Sequence, residues 1–221
     1  MSQAAPEKRW IFPKWLNSLR PLLGVGLLAG PVYLVVLATF GLSAKTINTG
    51  YAPIQPVPYS HALHVGQLGM DCRYCHNTVE TASHAAIPPT ETCMNCHNHI
   101  RTQSEKLAPV RNSHATGRPI PWVKVHDLPD YVYFNHGAHV RAGGSCVSCH
   151  GRVDKMDVVQ TVSPLNMSWC LACHENPDPH IRPRDKVTQL DWVADDPVAL
   201  GRELRDQYNV NPRVDCWTCH R

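Results

Sequence analysis

The chain has 221 residues, with 19 Pro, 14 His and 10 Cys against only 3 Phe. That composition cannot supply an ordinary side-chain core, so something other than aliphatic and aromatic side chains must fill the interior. The formal charge of +3 comes entirely from Glu7, Lys8, Arg9, Lys14 and Arg20, because the 17 basic and 17 acidic residues from position 45 onward cancel; no nucleic-acid partner is indicated despite the alkaline isoelectric point.

In chain order, residues 1–20 read as a cytoplasmic N-terminal tail. Residues 22–42 (LLGVGLLAGPVYLVVLATFGL) carry no charge, and a helix of that length spans about 30 Å, the thickness of the hydrocarbon core. We expect a transmembrane helix anchor at 21–43. The run is too long for a signal-peptide apolar region, and Leu42-Ser43-Ala44 is a poor cleavage site, so the anchor is expected to stay attached. Lys8, Arg9, Lys14 and Arg20 precede it, which by the positive-inside rule leaves the N-terminus in the cytoplasm and residues 44–221 in the periplasm, as a single-pass protein of a bacterial inner membrane. Gly26 and Gly30 are spaced for close approach of another helix, and Pro31 is a candidate kink. Residues 48–58 (NTGYAPIQPVP) are an extended, Pro-dense linker.

Beyond the linker the sequence repeats itself. His61 and His64 precede Cys72-x-x-Cys75-His76 and Cys93-x-x-Cys96-His97; His136 and His139 precede Cys146-x-x-Cys149-His150 and Cys170-x-x-Cys173-His174. Equivalent histidines are 75 residues apart, and the leading cysteines 74 and 77 apart, so a unit of about 56–100 is duplicated at about 131–175. A fifth motif, Cys216-x-x-Cys219-His220, ends the chain. The five motifs use all ten cysteines. C-x-x-C-H is the attachment pattern of haem c: the thiols bond to the porphyrin edge and the histidine ligates the iron. A disulfide framework or zinc sites would not require a histidine after every second cysteine. We therefore expect five covalently attached haem c groups, bound by Cys72, Cys75, Cys93, Cys96, Cys146, Cys149, Cys170, Cys173, Cys216 and Cys219, with His76, His97, His150, His174 and His220 as iron ligands. The macrocycles then serve as the apolar interior, and their propionates make the domain net negative, suited to a partner with a positive docking face.

The expected fold class is one N-terminal transmembrane helix plus a loop-rich, mainly α multihaem cytochrome c domain with little regular secondary structure and an internally duplicated two-haem unit. Residues 199–208 (ALGRELRDQY) read as a helix, and Val132–Phe134 as the best of few strand patterns.

Nine histidines lie outside the motifs. The H-x-x-H pairs are the best sixth ligands, since residues three apart on a helical turn share one side and can reach two neighbouring irons. His61 is expected on the first haem and His64 on a different one, with His136 and His139 as their counterparts and His126 as the fifth. His99, His180 and Met167 compete for that fifth place; a methionine would raise the potential. His84 and His114 read as surface histidines in loops.

The phrases YAPIQPVPYSHALHVGQLGMDCRYCHNTVET, IPPTETCMNCH, PIPWVKVHDLPDYVYFNHGAHV and SWCLACH resemble the membrane-anchored pentahaem cytochrome c subunit of bacterial alternative complex III, over roughly residues 45–221. The repeats are also similar to class III multihaem cytochromes c. The resemblance implies an electron-transfer relay inside a respiratory or photosynthetic quinol-oxidising membrane complex. It implies an iron–sulfur subunit, polytopic membrane subunits and a monohaem cytochrome c as partners, and a periplasmic acceptor: a cytochrome c, a small copper protein or an oxygen reductase. No catalytic residue is expected in such a relay. The alternative is a stand-alone membrane-anchored multihaem quinol dehydrogenase, in which Asp71 could be cast as the proton acceptor, although it reads better as a solvated acid. A multihaem nitrite reductase would need an open iron site, and every motif here carries histidine. An inert haem-binding scaffold is the remaining reading.

Overall fold

The computed structural model describes residues 13–41 and 48–220. Glu7, Lys8, Arg9, most of the expected tail, and the Leu42-Ser43-Ala44 segment lie outside the described residues. The chain divides into two units, 1–47 and 48–221.

In the first unit, helix α1 (Lys14–Val36) continues into a π-wound turn, Leu37–Gly41. It starts seven residues ahead of the expected anchor, so residues 14–20 are helical as well. Pro21 and Pro31 both sit inside it, each removing one backbone donor from the ladder. Its large apolar side chains are exposed all round, Leu28 at 81% and Leu27 at 76%. The 27 residues Trp15–Gly41 are long and apolar enough to cross a membrane. A cradle this apolar on every side suits lipid rather than water.

The second unit is a series of short helices joined by loops. His61 opens a π-wound turn, Ala62–Gln67. Then come α2 (Cys72–Cys75), α3 (Thr90–His97), α4 (Ala108–Thr116), α5 (His136–Arg141), α6 (Cys146–His150), α7 (Met167–Glu175), α8 (Pro197–Gln207) and α9 (Cys216–Cys219). The duplication is visible in this order: a histidine-bearing turn followed by two cysteine-bearing helices, twice. Among the described residues the only strand-like pairing is an isolated bridge between Gly144 and Ile181.

Val132–Phe134 is not a strand. The backbone there is diverted to the C-terminal motif, the Tyr133 N–H donating to the Cys219 carbonyl at 2.8 Å. Helix α8 (Pro197–Gln207) covers the expected 199–208 stretch up to Gln207, with Tyr208 as its C-cap, and starts two residues earlier, where the Asp196 carboxylate accepts from the N–H groups of Val198 and Ala199. Helix α4 was not anticipated. Pro109 sits in its first turn and Gly117, at φ 68°, ends it, the ordinary asymmetry of helix ends. His114 therefore lies on a helix rather than in a loop; it is exposed, 4.0 Å from the Glu91 carboxylate.

The side-chain core is small. Val57, Met94 and Val110 form one cluster, edged by Cys93, Leu107, Ile120 and Trp122. Ile181, Val187, Leu190 and Leu204 are the other buried apolar residues among those described. The loops also pack backbone on backbone. A Cβ at Gly66 would strike the Asp154 carbonyl, and one at Gly201 the Asp178 carbonyl.

Candidate haem-binding sites

Each cysteine pair is held on a single helical turn, which puts both thiols on one side. Local capping starts these turns. Asp71 accepts from the Arg73 N–H ahead of α2, Asn166 from Trp169 N–H in α7, and Asp215 from Thr218 N–H in α9. Ser145, before α6, is buried and donates to the Val187 carbonyl at 3.1 Å instead. None of the ten cysteines is paired in a disulfide.

The imidazoles are oriented by the backbone. Nδ1 lies within hydrogen-bonding distance of a carbonyl in seven cases: His64 with Ser60 (2.8 Å), His76 with Ala86 (2.7 Å), His97 with Ile100 (3.0 Å), His136 with Ser83 (3.0 Å), His139 with Asn135 (2.8 Å), His174 with Arg213 (2.7 Å) and His220 with Tyr131 (3.1 Å). A carbonyl only accepts, so Nδ1 carries the proton and donates. Nε2 then keeps its lone pair, which is the arrangement a metal-binding histidine needs.

The H-x-x-H imidazoles face motif imidazoles. His64 stands 6.3 Å from His97, His136 is 6.4 Å from His150, and His139 is 6.0 Å from His174, ring centre to ring centre. Two imidazoles binding one metal from opposite sides, with metal–nitrogen bonds of about 2.0 Å, hold their centres about 6 Å apart. The fit is therefore geometric as well as chemical. His61 lies beside His76; burial first, then the His76 and His64 imidazoles, push it down to about 4. His150 is pushed down to about 3, by burial and then by His126 and His136. Both are neutral at pH 7, the form that ligates iron.

An aromatic ring wedges each pair. Tyr59 stacks on His64 at 4.4 Å and meets His61 edge-on at 4.8 Å. Phe134 stacks on His139 at 4.4 Å and meets His136 edge-on at 4.7 Å. The sequence reading missed these two residues, although Tyr59 and Phe134 sit 75 positions apart, in the same register as the histidines.

His126 touches the edge of the His150 ring at 4.4 Å. Its Nε2 is buried with no hydrogen-bond partner, as is Nδ1 of His61. A buried, orphaned imidazole nitrogen is costly, and a bound metal relieves that cost at Nε2. The competitors are differently placed. His99 and His180 are exposed, and so is Met167, at 66%. His84 is exposed in a bend, bonded to the Ser83 hydroxyl.

Asp71 is already engaged. Its carboxylate holds the Arg73 guanidinium at 2.8 and 3.0 Å and accepts from the Thr188 hydroxyl. The Arg73 hydrogen bonds hold its pKa down to about 2, which leaves it a poor proton acceptor at neutral pH.

The attachment sites also neighbour one another. The Cys72 and Cys146 side chains, the leading cysteines of the first and third motifs, are close neighbours. Cys75 lies within electrostatic reach of Cys93, Cys149 of Cys173 and Cys170, and Cys170 of Cys219.

The sequence profile described as cytochrome c7 and related cytochrome c matches residues 57–115 and 132–221, one segment over each repeat and its extension. The chain is 34% identical over 120 residues to a protein of Nitratidesulfovibrio vulgaris (strain Hildenborough) named menaquinone reductase, multiheme cytochrome c subunit. That match covers 54% of this chain, and the chain spans about half the length of the curated relative, 56% of it. With two matched segments covering most of the chain and haem c attachment the family's property, the chain belongs to the cytochrome c7 and related cytochrome c family.

Proposed function

We propose that the chain is a five-haem electron-transfer subunit of a membrane quinol-oxidising complex similar to alternative complex III, anchored by α1 with its haem domain in the periplasm. The observation that carries the reading is the set of imidazole pairs about 6 Å apart, five of the six rings, all but His150, with Nδ1 committed to a carbonyl. When bound, haem c supplies a reversible one-electron iron couple. The protein's own part is to hold it. The ten cysteines would fix the rings, and His76, His97, His150, His174 and His220 would each supply an imidazole to the iron. His64 would join His97 at one site, His136 would join His150, and His139 would join His174. His61 and His126 are left for the first and fifth sites. His126 is too close to His150 to share its iron.

A site supplied with two imidazoles would leave no open position on its iron for bond chemistry, which favours a relay over an enzyme in its own right. The stand-alone quinol dehydrogenase is weakened at Asp71, whose carboxylate is tied to Arg73 and held ionised. The Nitratidesulfovibrio relative favours a second reading of direction, in which electrons flow toward membrane menaquinone. The test is stopped-flow reduction of the haems by quinol, with the isolated subunit beside the intact assembly. Fast reduction of the assembly alone supports the relay. Equal, inhibitor-sensitive reduction of the isolated subunit overturns it. Fast haem oxidation by added menaquinone in the assembly, with no reduction by quinol, supports the reverse direction.

A further inference from the structure

The order of the five attachment sites in space is not their order in the sequence. We propose that the two repeats join head to head through their first sites, where Cys72 and Cys146 lie close together, so that the series runs second, first, third, fourth, fifth, with the second and fifth sites at its ends. The inference rests on the five-haem reading above but not on quinol chemistry or on direction.

Several independent contacts carry it. Cys72 and Cys146 are close neighbours, which sets the first site beside the third. The same junction is braced on both sides. Thr188 bonds Asp71 ahead of α2, and the neighbouring Val187 carbonyl accepts from the Cys146 N–H and the Ser145 hydroxyl ahead of α6. Helix α5 of the second repeat docks on the loop that follows the first motif. His136 and Gly137 donate backbone N–H groups to Ser83 and Ala82, and Arg141 donates to the Glu80 carbonyl. His136 also uses Nδ1 on Ser83, so a loop of the first repeat orients a ligand that serves the second.

The outer links are as specific. The second site joins the first through the Asn95 side chain, which donates to the Tyr74 hydroxyl, and through Tyr59, which lies beside both cysteines of the first site and Cys93 of the second. The second site also packs into the Val57, Met94 and Val110 cluster, which is ordinary side-chain core. The third and fourth sites share the Cys149 and Cys173 neighbourhood. The fourth and fifth are joined by His174, which donates Nδ1–H to the Arg213 carbonyl just ahead of the last motif, and by Cys170 beside Cys219. At the fifth site the surface opens: Trp217, between its two cysteines, is 80% exposed. A single electron travelling between the ends must therefore cross the Cys72–Cys146 junction, and the second site is a terminus rather than a stepping stone from the first to the third.

The test is a haem-resolved redox titration of the detergent-solubilised, fully loaded full-length protein, followed by NMR of the haem methyl signals. Neighbouring haems shift each other's midpoint potentials. Emptying the second site (Cys93→Ala with Cys96→Ala) is expected to move one of the four remaining midpoints, that of the first site. Emptying the first site (Cys72→Ala with Cys75→Ala) is expected to move two, those of the second and third. Two midpoints moved by the second-site variant, the third among them, or one moved by the first-site variant, overturns the order. If a variant does not assemble, the unaltered protein decides. Nuclear Overhauser contacts between ring methyls of the first and third sites are expected, and contacts between the second and third in their place overturn the proposal. A haem content other than five per chain in the unaltered protein would count against the parent reading instead, and is measured separately.

Discussion

The two repeats solve one problem with different materials. Each presents an aromatic residue, a histidine two positions on and another three beyond, and in each the ring stacks on the second imidazole and meets the first edge-on. In each, the second histidine donates Nδ1–H to the carbonyl four residues back, Ser60 or Asn135. The surroundings differ. The first repeat winds this turn as a π-helix, with Gly66 against the Asp154 backbone; the second winds it as an α-helix, with Arg141 at the equivalent position, reaching to the other repeat. His136 is anchored on Ser83, whereas Nδ1 of His61 is buried with no partner. What both retain is the placement of two imidazoles on one side of a turn, wedged by one ring. The winding of the turn and the residues around it are free to vary.

The largest effect falls on both repeats at once. With so few buried apolar side chains, the domain over residues 48–221 is expected to depend on its cofactors for an interior. Expressed without haem attachment, the domain is expected to lose its cooperative thermal transition altogether; a sharp transition in calorimetry would mean that side chains alone suffice. Next come the ligands. His64→Ala and His139→Ala are each expected to convert one haem from low-spin to high-spin, leaving the others unchanged, as read by electron paramagnetic resonance. An unaltered spectrum from either would remove that residue from the ligand set and break the symmetry of the repeats.

Much of this was legible in advance because the chemistry is local. Two thiols and an imidazole must share one turn, and so must an H-x-x-H pair, so both appear as fixed spacings in the sequence. The aromatic wedge was also legible, at the same 75-residue register, but its role appears only when the ring is seen between the imidazoles. The carbonyls that orient His136, His174 and His220 were not legible. They come from Ser83, Arg213 and Tyr131, at 53, 39 and 89 positions from their partners, and a backbone carbonyl leaves no side-chain signature. The same contacts misled the reading of Val132–Phe134. Its β-branched and aromatic residues look like a strand, yet the Tyr133 N–H is spent on the last motif and the Val132 N–H on the Pro129 carbonyl.

The wedge sharpens the comparison at smaller scale. Tyr59→Phe reproduces the second repeat and is expected to leave the haem spectra unchanged. Tyr59→Ala and Phe134→Ala remove a half-buried ring and should each cost about 1–3 kcal/mol in denaturant unfolding. They should also broaden the low-spin signal of the haem whose ligand the ring supports. Equal effects in both repeats would establish the ring as a common support; an effect in one alone would confine the role to that repeat. Gly66→Ala forces a Cβ into the Asp154 carbonyl and is expected to cost on the order of 1–3 kcal/mol. Arg141→Ala, at the equivalent position, costs only an exposed hydrogen bond and should fall below it.

The smallest difference lies at the helix starts, where the first repeat has Asp71 and the second has Ser145. The Asp71 carboxylate caps α2 and pairs with Arg73, which lowers its pKa from an ordinary 3.8 to about 2. A carboxyl whose pKa falls on folding contributes its full stabilisation above the unfolded value and loses it as pH drops through the folded one. The first repeat should therefore shed this contribution between about pH 4 and pH 2, whereas Ser145, with no charge to titrate, gives the second repeat no such step. The pair is partly exposed, so the effect is modest and screened by salt. Asp71→Asn retains the cap acceptor and removes the charge. Comparing its acid unfolding curve with that of the unaltered protein isolates the step, and superimposable curves between pH 4 and pH 2 would show that the Asp71–Arg73 pair contributes nothing to the first repeat's stability.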